Sequence, residues 1–509
     1  MHVFRDGKRE IDVHARLRAL AASRDPIDTL LRAGELECAL LDAGDPAARD
    51  AIAWTDAAAD AVIAGTRVVA PPLPSPRVDR ARASVPEGFA YYAIHPLEYA
   101  HAATRAVPPG VPALVLGIRT IGTTLSAIAA AALRARGSRV IRATVRPTGH
   151  PFDRRATLDP DVAAHAASTG VALVIDEGPG LSGSSFLAAA DALVAAGAPR
   201  DRVILVASHA PDVDRLCAPS AAARWRALRV VVASPTRVTP EGARDEISAG
   251  AWRASMLDPS APWPPSWPAM ERRKHLARDG SVLKYEGLAC FGDDACARGE
   301  ALASLGISPR LQRLPDGFVR WERAPGRPLS ARDDPPLDAI ARAIAARLEV
   351  APAALDHVSA LERATADNLR ALLHLDRTIA LPLARPVIAD GHLAPHEWIV
   401  APDGSLQKVD AIAHGDDHFF PGPCDVAWDL AGAIVEWDLD DAHTTALLDR
   451  YVRATGDHDA RARVPSWTIA YLAFRAAWLA MARDACGGDE RARLASASDA
   501  LRARLTRML

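Results

Sequence analysis

Short apolar runs alternate with alanine-rich stretches through the middle of the chain, and this alternation limits the fold more than any other feature. The stretches TTLSAIAAAALRARG and SSFLAAADALVAAGA have the periodicity of helices, and between them lie apolar runs with the length of buried strands. Those runs are VPALVLGIR, RVIRATVRP, VALVIDEG, RVILVASH and LRVVVAS. Strand and helix in alternation predict an α/β fold, with a doubly wound parallel sheet over residues 89–248.

Two proline-rich breaks divide the chain further. A chain of 509 residues is longer than the roughly 250–300 residues at which a single core stops growing, so several domains are expected. Residues 1–88 have helical periodicity and end near VVAPPLPSPRVDR. The second break, MLDPSAPWPPSWPAM, contains five prolines and two tryptophans, which is typical of a linker. We therefore predict a helical flank (1–88), the sheet domain (89–248), a linker (249–269) and a carboxy-terminal domain (270–509).

Residues 172–197 join a buried strand to a helix through a glycine- and serine-rich turn. The acidic pair Asp176 and Glu177 ends the strand, and Gly178 to Ser184 form the turn. Glycines let backbone N–H groups point into a concavity, and a helix N-terminus adds positive potential, so a phosphate fits such a turn. The turn contains no lysine and does not match GxxxxGK[ST]. An ordinary connection between strand and helix is the alternative.

An acidic pair followed by a loop of small residues resembles the ribose-phosphate signature of type I phosphoribosyltransferases. The resemblance implies that Asp176 and Glu177 bind the ribose hydroxyls of phosphoribosyl pyrophosphate (PRPP). It also implies that the 5′-phosphate is held by the loop, through Gly178, Ser182, Gly183, Ser184 and Ser185. The loop is one residue longer than the family spacing, and its glycines would let the extra residue bulge.

Residues 114–137 form a second strand, tight loop and helix, which resembles the pyrophosphate loop of the same family. Here Arg119 would neutralise the charge on the leaving pyrophosphate. The other residues implied in pyrophosphate binding are Thr120, Ile121, Gly122 and Thr123. The arginine-rich stretch RVIRATVRPTGHPFDRR follows at the position of the family's mobile hairpin, although such a cluster is also typical of a solvated face.

Residues 281–330 contain a strand with Lys284, a glycine-containing turn, a helix with Glu300 and two further apolar runs. This order resembles the nucleotide lobe of aminoglycoside and choline kinase-like proteins, which are two-lobed α+β folds. The resemblance implies that Lys284 meets the phosphates of ATP and pairs with Glu300. The alternative is an exposed lysine and a glutamate on a solvated helix face. The chain has only four lysines, Lys8, Lys274, Lys284 and Lys408, which favours a functional role for one inside an apolar strand.

Residues 387–434 resemble the catalytic loop and metal-binding segment of the same kinases. Aligned on Pro395, the chain has Asp390 and His392 where the family has His and Asp, so the two residue types are exchanged. The resemblance implies that Glu397 and Asp410 hold Mg²⁺. Either His392 or Asp390 would act as the base that orients a substrate hydroxyl.

These resemblances support three hypotheses about function. The first is an Mg²⁺-dependent transferase in which a nucleophile displaces pyrophosphate from C1 of PRPP, with a kinase-like domain of altered catalytic loop. The second is an ATP-dependent phosphotransferase acting on a small molecule. The third is a non-catalytic PRPP or nucleotide sensor with a pseudokinase. The sequence identifies neither the acceptor substrate of such a transfer nor the role of residues 1–88.

The composition of the chain limits the kinds of partner that it can bind. Hydrophobic residues make up 49% of the chain, charged residues 24%, and the net charge is -3, which is ordinary for a globular protein and disfavours nucleic-acid binding. The sequence contains no apolar stretch of the roughly 20 residues that a membrane span needs, and its six cysteines are scattered. We predict a cytoplasmic protein with small-molecule substrates and no membrane partner. A homo-oligomer is compatible with the sequence.

Overall fold

A computed structural model describes residues 1–233, 239–258, 260–353, 357–412 and 414–509. The chain packs into two units. The parallel-sheet unit consists of Gly7–Thr239 and Gly287–Phe291, and the carboxy-terminal unit consists of Met1–Asp6, Pro240–Glu286 and Gly292–Leu509. The boundaries differ from the predicted ones, because residues 7–88 belong to the sheet unit and residues 249–269 to the carboxy-terminal unit.

The parallel-sheet unit contains nine strands and nine helices among its described residues. The strands are β1 (Lys8–Asp12), β2 (Arg80–Ser84), β3 (Ala113–Ile118), β4 (Val140–Val145), β5 (Thr148–His150), β6 (Asp153–Arg155), β7 (Val171–Ile175), β8 (Val203–Ala207) and β9 (Arg229–Val232). The helices are α1 (Val13–Ala22), α2 (Pro26–Ala43), α3 (Ala48–Ala64), α4 (Glu87–Ala90), α5 (Pro96–Ala106), α6 (Ile121–Ala135), α7 (Pro160–Ala166), α8 (Ser184–Ala195) and α9 (Ala221–Arg226).

Five of these strands form the predicted parallel sheet, in the order β4-β3-β7-β8-β9. Each corresponds to one of the five apolar runs. Alternate residues of β3 and β7, among them Leu114, Leu116 and Val174, pack into one core with α8. The strand order reverses between β3 and β7, and ligands of open α/β sheets bind at the carboxyl ends of strands at such a point.

The amino-terminal helices pack against the sheet unit through two features, a buried ion-pair network and a close approach of α2 to α6. Arg142 of β4 forms an ion pair with Glu37 of α2 at 2.9 Å and with Asp56 of α3 at 2.8 Å. A Cβ atom at Gly34 of α2 would lie 2.0 Å from the hydroxyl of Thr124 in α6. The flank is therefore an integral part of the sheet unit, and part of the predicted arginine cluster holds it in place.

The carboxy-terminal unit contains ten strands and eight helices among its described residues. The strands are β10 (Ala243–Glu246), β11 (Lys274–Ala277), β12 (Val282–Tyr285), β13 (Leu311–Arg313), β14 (Phe318–Trp321), β15 (Arg327–Pro328), β16 (Pro386–Ile388), β17 (Trp398–Val400), β18 (Leu406–Lys408) and β19 (Pro423–Asp425). The helices are α10 (Trp252–Met256), α11 (Asp293–Ser304), α12 (Leu337–Val350), α13 (Val358–Leu373), α14 (Ala427–Glu436), α15 (Asp441–Thr455), α16 (Ala460–Ala485) and α17 (Gly488–Met508).

An antiparallel sheet in the order β10-β11-β12-β14-β13 begins this unit. Two smaller sheets, β15-β17-β18 and β16-β19, follow and lead into the last four helices. Residues 249–269, predicted as a linker, are packed into the unit. The ring of Trp267 contacts those of Phe419 and Trp478, and Arg253 pairs with Glu490 at 2.8 Å. None of the described helices is long and apolar enough to cross a membrane.

Candidate functional site

Three of the four lysines lie close together in the carboxy-terminal unit. Lys284 on β12 contacts Asp410 and lies 3.2 Å from Glu286, and Lys408 on β18 lies 2.7 Å from Glu397. Burial alone would lower the pKa of both lysines, but the adjacent carboxylates raise each above its ordinary value. Buried charges need such partners, because taking an ion out of water is costly. The two ion pairs form the centre of the site.

The loop between β16 and β17 is fixed by a carboxylate from α14. Asp429 accepts hydrogen bonds from the backbone N–H of Asp390 at 2.8 Å and of Gly391 at 3.0 Å. Gly391 has a φ of 81°, a conformation that favours glycine. Asp425, four residues before Asp429, accepts from the backbone N–H groups of Ala384 and Arg385 in the same way. Both aspartates therefore hold nearby backbone segments in place by accepting hydrogen bonds from their N–H groups.

Of the two residues predicted as the base, only His392 faces a cavity. Asp390 is buried between Arg347, at 2.6 Å, and Lys408, at 3.4 Å. His392 lines a cavity, its Nδ1 is hydrogen-bonded to Glu397, and its Nε2 lies 3.2 Å from Arg475. Burial lowers the pKa of His392 to about 4 and raises the pKa of Glu397 to about 7. Asp390 therefore acts as a structural counter-charge.

The structure brings the two predicted metal ligands together and adds a third side chain. Ligand atoms of Glu397, Asp410 and His414 all lie within 4.8 Å of one another. A second such group contains His392, His396 and Glu397. Carboxylate oxygens suit Mg²⁺, so Glu397 and Asp410 fit the predicted ion, whereas imidazole suits transition metals better.

Glu300 does not pair with Lys284, which corrects the prediction. Its side chain is about half exposed and lies 3.2 Å from Arg313. Arg298, two positions earlier on α11, is the buried residue and donates to the carbonyl oxygen of Ile412. Residues two apart on a helix point to different faces, so Glu300 faces solvent. The carboxylate near Lys284 comes instead from Glu286, just beyond the end of β12.

Two cavities of about 500 Å³ each meet at these residues. The aromatic cavity is lined by rings and charges, including Trp267, Phe419, Glu436, Tyr471, Phe474, Arg475 and Trp478. The sheet-side cavity is lined largely by strands and the segment after β14, including Leu276, Val282, Trp321, Glu322, Arg323, Ala324, Ile399 and Val409. Both cavities share Trp252, Lys274, Lys284, His396, Glu397 and Asp410.

Sequence reasoning missed several residues of this shared wall. Trp252 lies in the predicted linker, and its ring stacks on that of His396 with centroids 5.5 Å apart. Lys274 places its Nζ 5.6 Å from the centre of the same indole ring. The scarcity of lysine, which favoured a functional role for Lys284, could also have pointed to Lys274 and Lys408. No comparable signal pointed to Trp252.

In the parallel-sheet unit, Asp176 and Glu177 follow β7 at the point where the strand order reverses. Glu177 accepts a hydrogen bond from the backbone N–H of Gly88 at 2.9 Å. Burial raises the pKa of Asp176 to about 7 and that of Glu177 to about 8, the latter raised further by Glu87. The positive charge of Arg146 partly offsets the shift at Asp176. Both carboxyl groups therefore hold a proton at a higher pH than ordinary carboxyl groups do.

The predicted phosphate loop contacts the tip of the hairpin β5-β6. The hydroxyls of Ser182 and Ser184 donate to the carbonyl oxygen of Pro151 at 3.0 and 2.7 Å. Gly183, with a φ of 66°, precedes α8, which contains Ser185 in its first turn. Gly178 lies against His209, where a Cβ would approach the ring to 2.7 Å. The hairpin is thus observed where the sequence placed it.

The predicted pyrophosphate loop lies beside a carboxylate of α2. Arg119 lies 3.4 Å from Asp42, and Arg146 contacts Asp42 and donates to the carbonyl oxygen of Arg119 at 2.8 Å. Arg146 also lies 3.4 Å from the hydroxyl of Thr120. Three further residues predicted to bind pyrophosphate are buried at the start of α6, namely Ile121, Gly122 and Thr123. Arg119 and Thr120 are the half-buried part of this loop, and Arg146 beside them is also half-buried.

Comparison with known proteins gives neither a matching family model nor a matching curated protein. Among solved structures, choline kinase LicA from Streptococcus pneumoniae is 14% identical with a TM-score of 0.31, covering 46% of this chain and 89% of that one. A choline/ethanolamine kinase family protein from Mesorhizobium loti is 18% identical with a TM-score of 0.31, covering 47% and 84%. The GDP complex of aminoglycoside 2′-phosphotransferase-IIIa is 13% identical with a TM-score of 0.29, covering 46% and 89%. Because these likenesses are weak, we base the functional assignment on the geometry of the site.

Proposed function

We propose that the carboxy-terminal unit transfers a phosphoryl group from ATP to a hydroxyl of a small molecule. The observation that carries this proposal is the meeting of two cavities at Lys284, Glu397 and Asp410. Phosphoryl transfer depends on holding donor and acceptor in line and on neutralising phosphate charge, with little covalent chemistry for the protein to do. A shared wall with a lysine and two carboxylates meets both needs.

The sheet-side cavity would take the nucleotide. Leu276, Val282 and Ile399 provide apolar surface for a base. Lys284 would contact the phosphates, and in the free protein its charge is held by Asp410 and Glu286. Glu397 and Asp410 would hold a divalent cation, predicted from the sequence to be Mg²⁺, which when bound supplies charge neutralisation on the phosphates.

The aromatic cavity would take the acceptor. His392 lines this cavity as a neutral imidazole, because burial lowers its pKa to about 4. An acceptor hydroxyl would replace Arg475 as the hydrogen-bond donor to the ring nitrogen that faces Glu436 and Arg475. Glu397, hydrogen-bonded to the other ring nitrogen, fixes the orientation of the imidazole. His392 and Glu397 would therefore orient the hydroxyl together.

Measurement of ADP formation tests this proposal. The full chain would be incubated with ATP, a divalent cation and a panel of small alcohols, and compared with Asp410→Asn. Asp403→Asn is the matched control, because Asp403 is an exposed turn residue between β17 and β18. We expect acceptor-dependent ADP formation that Asp410→Asn abolishes and Asp403→Asn retains. ATP binding without turnover for any acceptor would favour the sensor hypothesis instead.

A second candidate function, PRPP binding with displacement of pyrophosphate, concerns the parallel-sheet unit. It is supported by the placement of the Asp176 pair and of Arg119 at the carboxyl ends of adjacent strands. Arg146, which contacts the loop of Arg119, also influences the pKa of Asp176 through its charge. The carboxyl groups would orient the ribose, and the arginines would neutralise the pyrophosphate.

Thermal unfolding with PRPP and Mg²⁺ tests the second function. A ligand at 100 times its Kd stabilises the native state by about 2.7 kcal/mol, so a bound PRPP should raise the Tm measurably. Asp176→Asn should remove the shift, and Asp161→Asn, at the exposed start of α7, should retain it. The absence of a shift at millimolar PRPP would contradict this function.

A further inference from the structure

The group formed by Glu397, Asp410 and His414 differs from an all-oxygen magnesium site. Oδ2 of Asp410 and Nε2 of His414 lie 3.7 Å apart. This separation is too long for a hydrogen bond. It is close to the roughly 3.3–3.5 Å between two ligand atoms on one tetrahedral ion with bonds of about 2.0–2.2 Å. The two side chains are thus spaced as ligands of a common ion.

The lysine partner of Asp410 leaves one of its carboxylate oxygens open as a ligand position. Lys284 contacts Oδ1 of Asp410, so the oxygen that faces His414 is the other one. Lys408 pairs with Oε2 of Glu397 and His392 contacts Oε1, so an ion would replace one of these contacts. Nδ1 of His414 is buried and has no hydrogen-bond partner in the described part of the chain.

We propose that Glu397, Asp410 and His414 bind a divalent transition-metal ion of the Zn²⁺ class in preference to Mg²⁺. Imidazole nitrogen is a common ligand of Zn²⁺, whereas Mg²⁺ prefers oxygen ligands in octahedral geometry. His396 and His392 bring two more imidazoles within reach of Glu397. This inference deepens the proposed phosphotransfer site, since it names the class of its cation, but the binding itself requires no nucleotide.

The test is isothermal titration of the metal-free full chain, without a histidine tag, with ZnCl₂, MnCl₂ and MgCl₂ in separate runs. We expect one Zn²⁺ per chain, bound at least about 100-fold more tightly than Mg²⁺. His414→Gln should weaken Zn²⁺ binding about tenfold or more, because it removes the nitrogen ligand. His443→Gln is the control, because His443 forms an exposed pair with Asp440 at 2.8 Å and should have no effect.

Cobalt provides a second measurement that is independent of heat signals. Co²⁺ bound through imidazole and carboxylates absorbs visible light, and His414→Gln should change that spectrum while His443→Gln retains it. Equal affinity for Mg²⁺ and Zn²⁺, or a His414→Gln variant with wild-type Zn²⁺ affinity and Co²⁺ spectrum, would overturn the inference. Normal Zn²⁺ binding in a protein that transfers no phosphate would refute phosphotransfer alone, so the two failures are distinguishable.

Discussion

Lys408 Nζ lies 2.7 Å from Glu397 Oε2, and both side chains are buried. Lys408 is on β18 and Glu397 lies just before β17, so the pair joins neighbouring strands at the shared wall of the two cavities, to which Glu397 belongs. Breaking a buried pair by removing one partner leaves an uncompensated charge, which costs more than the pair itself contributes.

Lys408→Met should therefore destabilise the protein by about 3 kcal/mol, measured by denaturant unfolding. Adding Glu397→Gln should recover part of that loss, because the double variant has no isolated carboxylate at this position. Arg370→Met serves as the control, since Arg370 forms an exposed ion pair with Asp376 and should cost less than about 1 kcal/mol. The account would be contradicted if the loss of stability in the double variant equalled the sum of the losses in the two single variants.

Substitution of two glutamates distinguishes the observed partner of Lys284 from the predicted one. Glu286 is buried and lies 3.2 Å from both Lys284 and Arg272, whereas Glu300 is half exposed beside Arg313. Glu286→Gln should lower the free energy of unfolding by about 1–3 kcal/mol and weaken ATP binding, while Glu300→Gln should change neither by more than a few tenths. The check is denaturant unfolding together with nucleotide titration. A larger effect of Glu300→Gln than of Glu286→Gln would indicate that Glu300 is the partner of Lys284.

Stability of the parallel-sheet unit should fall as the pH rises. The pKa values of Asp176 and Glu177 are raised to about 7 and about 8, above those of the unfolded chain, so the folded state binds more protons between about pH 4 and 8. The stabilisation is complete below the unfolded pKa values and is lost as the pH rises through 7 and 8. Asp176→Asn should flatten the dependence of Tm on pH between 5 and 8. A slope equal to that of the wild type would show that this carboxyl group titrates normally.

Gly34→Ala tests the packing of the amino-terminal helices on the sheet. The added Cβ would meet the hydroxyl of Thr124 at 2.0 Å, and both positions lie on buried helix faces. We expect a loss of about 1–3 kcal/mol from overpacking, measured by thermal or denaturant unfolding. Gly487→Ala is the control, since a Cβ there meets nothing within 4 Å and the backbone φ is -120°. Equal stability of Gly34→Ala and wild type would indicate that α2 is not held against α6.

The five strands of the parallel sheet were predictable because each is a local apolar run between helix signals. Asp176, Glu177 and Arg119 could be placed at one sheet edge for the same reason, since parallel strands bring their carboxyl ends together. The hairpin β5-β6 and the strand with Lys284 are likewise local patterns. The role of residues 1–88 was not predictable, because their contact with the sheet depends on Arg142 meeting Glu37, 105 residues away along the chain.

In the carboxy-terminal unit, the sequence by itself determined the residue types of the site. Lys284, His392, Glu397 and Asp410 stand out because each lies in or beside a short apolar strand or turn. Only the tertiary structure decided their partners: Glu286 in place of Glu300, Arg347 on Asp390, and His414 beside Asp410. The physical reason is that local sequence sets periodicity and strand ends, whereas the partner of a buried charge depends on which distant side chain packs closely enough to replace water.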